Sequence, residues 1–375
     1  MNDAELIQRI YDHIDAGTTD LGDAVWREPV ENCRSTARFA HEMALMRRLP
    51  TVFCPSAALP GPGAYFARDH AGAPILAVRG SDGVVRAFHN ACRHRGMMLA
   101  DGEGVARGGF VCRYHGWRYA LDGALKAAAG GEAGFPGLDA TAHALVPVHA
   151  QERGGLVFVS HHEPMLDGAL AALPELVAPD QRVFDYTTFD DEANWKLLKE
   201  FSMEGYHIKT LHHESFYPYG YDNLNVVETF GPNSRISFPF RRIQKQRELP
   251  AHERRAIGYG TFVTQVFPNA RVSILTNHFQ HVVLEPIGPA RTRWHVWRLT
   301  LPGAPNDEES LQRARRDASF VKDTGLLEDR EAACSSQRAL AGEGNTHFSF
   351  GRFEAAAVHF HQQLDAHLAQ VAPPA

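Results

Sequence analysis

The sequence predicts an α+β fold in two domains, and three observations carry that reading. At 375 residues the chain exceeds what one ordinary core accommodates. Between Pro50 and Ser160 it breaks into short β-type runs separated by Gly, Pro and Asp, as in a small antiparallel β domain. Further on, β runs mix with stretches of helical spacing and end in a helical section from about residue 307, so that strands pack against helices.

Residues 1–45 read as an N-terminal helical arm, because Leu6, Ile7, Ile10 and Ile14 recur at helix spacing and "ARFAHEMALMRRL" follows a polar break. Residues 46–162 form the β domain on the runs "YFARD", "PILAVRG", "VVRAFHN", "GFVCRYH", "WRYALDG" and "GLVFVS", with "SDG" and "LDG" as turns. Residues 163–375 begin with the helix-like "MLDGALAALPELV" and a helix near 195–213. The strands "NVVETF", "RISFPF", "RVSIL", "HVVLEPI" and "RWHVWRLTLP" follow, then the long C-terminal helical section.

A formal net charge of -6 argues against nucleic-acid or anionic-membrane binding through bulk charge. The acidic start "MNDAELIQRIYDHIDAGTTD" lacks the apolar segment of a signal peptide, and no stretch approaches the roughly 18 apolar residues of a membrane span. The expectation is a soluble, cytoplasmic protein. Five cysteines are too sparse, and odd in number, for a disulfide framework. Cys33, Cys54 and Cys334 lack histidines at ligand spacing and read as buried small residues.

Cys92 and His94 are followed, after seventeen intervening residues, by Cys112 and His115, giving C-x-H-x17-C-x2-H. Zinc knuckles and fingers mostly pair like with like, Cys with Cys and His with His. A Rieske [2Fe-2S] centre instead needs two thiolates on one iron and two imidazoles on the other, so each loop supplies one of each. Gly96 and Gly116 permit tight turns over the sulfurs, Trp117 can shield them, and Arg93, Arg95 and Arg113 favour electron uptake.

With "CRHRGMML" and "CRYHGWRYALDG" on the page, the chain resembles the α subunits of Rieske non-heme iron oxygenases of the aromatic-ring-hydroxylating type. "NWKLLKEFSMEGYHIKTLHHESF" resembles their catalytic helix, "NWK…E…(D/E)xxHxxxxH". The resemblance implies a Rieske domain followed by a helix-grip (START-like) catalytic domain. It further implies that His207 and His212 bind mononuclear Fe(II), that Asp329 in "TGLLEDREAACSSQRAL" completes the site, and that Glu204 is the bridging carboxylate. His213, adjacent to His212, is a rival ligand on sequence grounds, and Asp323, Glu328 and Glu331 are alternatives to Asp329.

Two histidines and a carboxylate on one face leave coordination positions open for dioxygen and substrate. Residues 207 and 212 diverge by about 140° on an ideal helix, so the helix is expected to end or widen there. Glu204, three residues before His207, can accept that imidazole's free N–H. In the family this carboxylate meets the second Rieske histidine of the neighbouring subunit, here His115, and carries the electron path.

Glutamate at 204 looks like the branch of choline and carnitine monooxygenases, whose quaternary ammonium substrates call for aromatic faces. "FYPYGYDN" offers Phe216, Tyr217, Tyr219 and Tyr221, with Phe201 a further pocket candidate. The resemblance thus implies hydroxylation or oxidative N-demethylation of an aromatic or quaternary ammonium compound with O2. With no nucleotide motif in the chain, electrons are expected from a separate NAD(P)H reductase, with or without a ferredoxin, and the family's assembly is a homotrimer. The rival reading is a Rieske electron carrier without oxygenase chemistry of its own. Asn194, Trp195 and Lys196 are expected to anchor the catalytic helix, and His359 and His361 to be ordinary interior or surface histidines.

Overall fold

The computed structural model describes residues 1–162, 170, 172–342 and 344–373. It divides into two compact units, one of residues 46–179 and one of residues 1–45 together with 180–375. Of the helix-like run "MLDGALAALPELV", residues 165–169 and 171 lie outside the described residues, and residues 172–177 are not helical. Among those described, no helix is long and apolar enough to cross a membrane.

The N-terminal segment forms α1 (Asp3–Ala16), β1 (Trp26–Pro29) and α2 (Thr36–Met46). Its first 45 residues belong with the C-terminal unit. Asn2 caps α1 through a reciprocal box with Glu5. The apolar stripe Leu6, Ile7, Ile10 and Tyr11 packs with Val226, Ile243, Ala256 and Phe262. A segment that reads as an arm is therefore held by an amphipathic face with a partner far along the chain.

In residues 46–179, β2 (Thr51–Pro55), β3 (Ala64–His70), β4 (Ala73–Arg79), β5 (Val85–His89) and β6 (Gly102–Val105) precede β7 (Phe110–Val111), β8 (Arg118–Tyr119) and β9 (Leu125–Ala127). A short helix, α3 (Gly131–Gly134), leads to β10 (Pro147–Arg153) and β11 (Leu156–Ser160). They build a seven-stranded antiparallel sheet, β2-β11-β10-β5-β4-β3-β6, and a three-stranded sheet, β7-β8-β9. Cys92 and Cys112 are part of one buried cluster with Leu76, Phe88, Phe110 and Trp117, so the loops that bear them rest on the core.

The other unit continues with β12 (Val183–Asp191), α4 (Trp195–Glu200) and α5 (Ile208–Leu211). Then come β13 (Val226–Phe230), β14 (Asn233–Pro239), β15 (Gly260–Val266), β16 (Ala270–Ile274), β17 (Phe279–Gly288) and β18 (Arg291–Leu299). These strands make a seven-stranded antiparallel sheet in the order β12-β18-β17-β16-β15-β14-β13. The C-terminal section is divided into α6 (Glu308–Asp323), α7 (Gly325–Ala339), β19 (His347–Phe350) and α8 (Ala355–Leu368). The break falls at Thr324, whose φ of -122° and ψ of -97° leave the helical region. β1 pairs with β19, which ties the N-terminal segment to this end of the chain.

Anchoring of α4 is electrostatic as well as apolar. The Asn194 side chain caps the helix, accepting from Lys196 N. Lys196 Nζ donates to both Glu42 oxygens at 2.8 and 2.9 Å, Trp195 Nε1 donates to Glu42 at 2.8 Å, and Lys196 and Glu42 are fully buried. Removing one partner of such a pair strands the other charge. Glu42→Ala is expected to cost about 3–5 kcal/mol, read as a lower urea midpoint at unchanged slope.

Candidate metal centres and cavity

The helix expected over 195–213 is interrupted. After α4 the chain makes one 3-10 turn to Met203, and Glu204 is extended, with φ -149° and ψ 162°. Its carboxylate accepts from Tyr206 N, and from His207 N at 3.2 Å, so it caps the turn that opens α5. The helix that resumes is a single turn, with His207 at its N-cap and His212 at its C-cap outside helical geometry (φ -95°, ψ 31°), so the conflict between positions 207 and 212 is resolved by the helix ending rather than bulging.

The two histidines at the ends of this single turn meet Asp329. Nε2 of His212 lies 2.9 Å and Nε2 of His207 3.4 Å from the same oxygen, Asp329 Oδ1, and the two rings are 5.0 Å apart. One donor atom from each residue falls within 4.8 Å of the others, the spacing of a shared ion. Behind them, His207 Nδ1 donates to Glu204, and His212 Nδ1 donates to Glu328 Oε2 at 2.6 Å, which Ser215 Oγ also reaches at 2.6 Å. Both imidazoles therefore present Nε2 outward with the tautomer fixed from behind, as metal-ligating histidines do.

Electrostatics agree with that donor set. Burial opposes charge on His207, yet hydrogen bonds to Asp329 and Glu204 raise its pKa to about 10. His212 is raised too, against burial, by Asp329 and then Glu328. Asp329 is buried but held below its ordinary range by the two imidazoles. The pull that draws protons here would act on a divalent cation, which binds as those protons leave.

His213 is exposed and stacks on Tyr217. Asp323 is exposed and accepts from Ser319, and Glu331 is exposed. Glu328 lies behind His212, a role that the "ED" pair alone does not reveal. Glu328→Ala is expected to weaken mononuclear iron binding about 10–100-fold while cluster absorption is unchanged, as measured by metal analysis after dialysis.

In the other unit, matching loops carry Cys92 and Cys112. Gly96 N donates to Cys92 O at 2.8 Å and Gly116 N to Cys112 O at 2.9 Å, and both glycines have positive φ, +77° and +75°. Such turns fold the loops back so that His94 and His115 face each other, ring centroids 4.6 Å apart. Nδ1 of each is buried without a hydrogen-bond partner, and both cysteines are free and buried. Two orphaned imidazole nitrogens beside two buried thiols fit a cluster held by mixed pairs.

His94 stacks on Trp117 at 5.0 Å, and His115 on Tyr114 at 3.8 Å. Arg95 donates to His115 Nε2 at 2.6 Å. The Tyr119 hydroxyl, 3.3 Å from Cys92 Sγ, is held protonated above its ordinary range by burial and by that contact, so it can donate to a thiolate. Sequence reasoning missed this residue, although it lies within the second loop's continuation.

A cavity of about 570 Å³ opens against His207, His212 and Asp329, a volume suited to a small organic ligand. Phe201, Tyr219 and Tyr221 line it, together with Phe216 and Phe320. Tyr217 is not in its wall: one face meets His213, and the Arg241 guanidinium lies 5.3 Å from its ring centroid. His361 is buried and donates to Glu200 at 2.9 Å, while His359 contacts Gly231 O at 3.1 Å.

Residues 180–370 match the family model of the ring hydroxylating alpha subunit catalytic domain, and residues 50–134 match the Rieske [2Fe-2S] domain. The chain is 28% identical over 342 residues to a glycine betaine monooxygenase oxygenase subunit of Chromohalobacter salexigens, covering 78% of this chain and 76% of that protein. Over 199 residues it is 31% identical to a carnitine monooxygenase oxygenase subunit of Acinetobacter baumannii, covering 51% of this chain and 53% of that one. It thus spans about three quarters of the first relative and about half of the second.

Among solved structures, the quaternary ammonium Rieske monooxygenase CntA in complex with L-carnitine superposes with a TM-score of 0.77 at 22% identity, over 92% of this chain and 95% of that chain. Naphthalene 1,2-dioxygenase from Rhodococcus sp. gives a TM-score of 0.74 at 18% identity, over 98% and 99%. These likenesses establish the antiparallel Rieske domain and the mixed helix-and-sheet catalytic domain.

Proposed function

The chain belongs to the ring-hydroxylating oxygenase α subunits that carry a Rieske domain, and from that premise we propose which residues do the work. Cys92, His94, Cys112 and His115 hold the [2Fe-2S] cluster, and His207, His212 and Asp329 hold the mononuclear iron. One observation carries the second assignment: two imidazole Nε2 atoms face one buried Asp329 oxygen while separate carboxylates fix both Nδ1 atoms.

When bound, the cluster supplies single electrons and the iron activates O2. The protein's own part is positioning. Asp329 supplies the negative charge, Glu204 and Glu328 hold the imidazoles, and the largely apolar wall excludes water and orients the substrate. Electrons pass from His115 of one subunit to Glu204 of its neighbour, which calls for a head-to-tail ring, here a homotrimer. A separate NAD(P)H reductase, with or without a ferredoxin, charges the cluster, and the enzyme works in the cytoplasm.

The substrate is a small organic molecule that is hydroxylated or oxidatively N-demethylated. The betaine and carnitine relatives, together with the aromatic faces of Phe216, Tyr219 and Phe320, favour a quaternary ammonium compound. Oxygen uptake with a surrogate reductase tests this across ammonium compounds and aromatic rings. Consumption that depends on an ammonium compound and matches product formed is the expected result; dependence on aromatic rings alone would overturn the substrate class, and dependence on neither would overturn the activity.

A further inference from the structure

We infer that this cavity recognises an anionic group on its ligand, a carboxylate, through Arg271 and Gln280. The inference rests on the reading above that the cavity beside His207, His212 and Asp329 is the substrate cavity. It names a chemical feature of the substrate that the metal site alone does not.

Arg271 on β16 is 4% exposed and lines the cavity. Its guanidinium meets Ser202 Oγ at 3.4 Å from Nη1 and the ring faces of Phe201 and Trp294 at 5.0 and 5.3 Å. Among the described residues no carboxylate lies within ion-pair distance of it. A buried guanidinium presents five N–H donors, and leaving its charge without an acid is costly. Burial lowers its pKa to about 10, with Asp329 opposing, so it stays charged at neutral pH.

Neighbouring groups do not cancel that charge. Lys199 is buried nearby, but its Nζ donates to Gln265 Oε1 at 2.8 Å and Ala270 O at 3.0 Å. Each acid in the wall is engaged elsewhere: Glu204 with His207, Asp329 with both imidazoles, and Asp317 with Asn277 N and His278 Nδ1 at 2.8 and 2.7 Å.

A second donor points the same way. Gln280 is 3% exposed and lines the cavity, and its side-chain nitrogen has no hydrogen-bond partner. Across the β16–β17 ladder Arg271 pairs with Val282 and Ser273 with Gln280. Arg271 and Gln280 are thus diagonal neighbours on one face, about 7–8 Å apart at the backbone, and both can reach one carboxylate. The planar fork of arginine matches that group in a way an ammonium does not. An organic acid or a zwitterion fits; a purely cationic ligand meets like charge at the sheet.

The test is calorimetric titration of the iron-loaded full chain with two matched pairs, glycine betaine against choline and benzoate against benzamide. In the wild type, the acid of at least one pair should bind about tenfold or more tightly than its partner. Arg271→Gln should bring that ratio to about one, and Gln280→Leu should lower it, with mononuclear iron retained in both. If Arg271→Gln fails to unfold cooperatively, Arg271→Lys and Gln280→Leu decide instead, both lowering the ratio. The proposal is overturned if neither acid outbinds its partner, if the variants keep the wild-type ratio, or if Arg271→Gln loses its iron, which would assign the residue to supporting Asp329. Failure of the oxygenase reading shows separately, as wild-type oxygen uptake indifferent to substrate.

Discussion

His207→Ala is expected to lose the mononuclear iron, keep the visible absorption of the cluster and fall more than about 10³-fold in turnover, since the chemistry rests on that site. Asp329 Oδ1 faces two Nε2 atoms at 2.9 and 3.4 Å, so deleting one imidazole leaves a single nitrogen and a buried carboxylate. The two proposed metal sites are separable because the proposed cluster donors, Cys92 to His115, all lie in the unit of residues 46–179, whereas His207 lies in the other. Metal analysis with absorption spectra on one preparation checks both halves. His213→Ala is the control: that ring is exposed, stacks on Tyr217, and should leave iron untouched. Iron retained in His207→Ala, or cluster and iron lost together, would contradict the assignment. Mononuclear iron beyond the cluster's also sets the oxygenase apart from an electron carrier.

What was legible in the sequence follows the distance over which each feature is encoded. The cluster loops are local: Cys92, His94 and Gly96 make one turn, Cys112, His115 and Gly116 the other, and each turn's hydrogen bonds close within five residues. The proposed iron site joins residues 207 and 329, and only resemblance pointed to Asp329. Periodicity gave no sign that the helix would stop before Glu204 and resume for a single turn with the two histidines at its ends. Strands with strong apolar runs were readable, but β12, "VFDYTTFDD", is half-buried along nearly its whole length and shows no alternation. Arg271 and Gln280 stayed hidden for another reason: both sit on strands whose apolar neighbours read as core. Only the register across β16 and β17 reveals two donors facing one cavity.

Glu204→Gln separates holding iron from delivering electrons. Glu204 Oε1 accepts from His207 Nδ1, and Oε2 accepts from the backbone N–H groups of Tyr206 and His207. The amide keeps one acceptor oxygen and replaces the other with a donor, so either the imidazole or the backbone N–H groups of Tyr206 and His207 lose their partner. Because Glu328, Asp329 and His212 are untouched, iron binding is expected to weaken without vanishing. The loss falls instead on transfer, since on the proposed route the variant has no carboxylate charge to meet His115 of a neighbouring subunit. Mixing chemically reduced protein with O2 and substrate, and following the return of oxidised-cluster absorption, reads this directly. Against wild type, the variant should be slower by about 100-fold, at the upper end for residues that orient metal ligands. Glu204→Asp, which keeps the charge on a shorter stem, should recover part of the rate. A variant that holds iron and reoxidises at the wild-type rate would remove Glu204 from the route, and one that simply loses iron would make it a support for His207 alone.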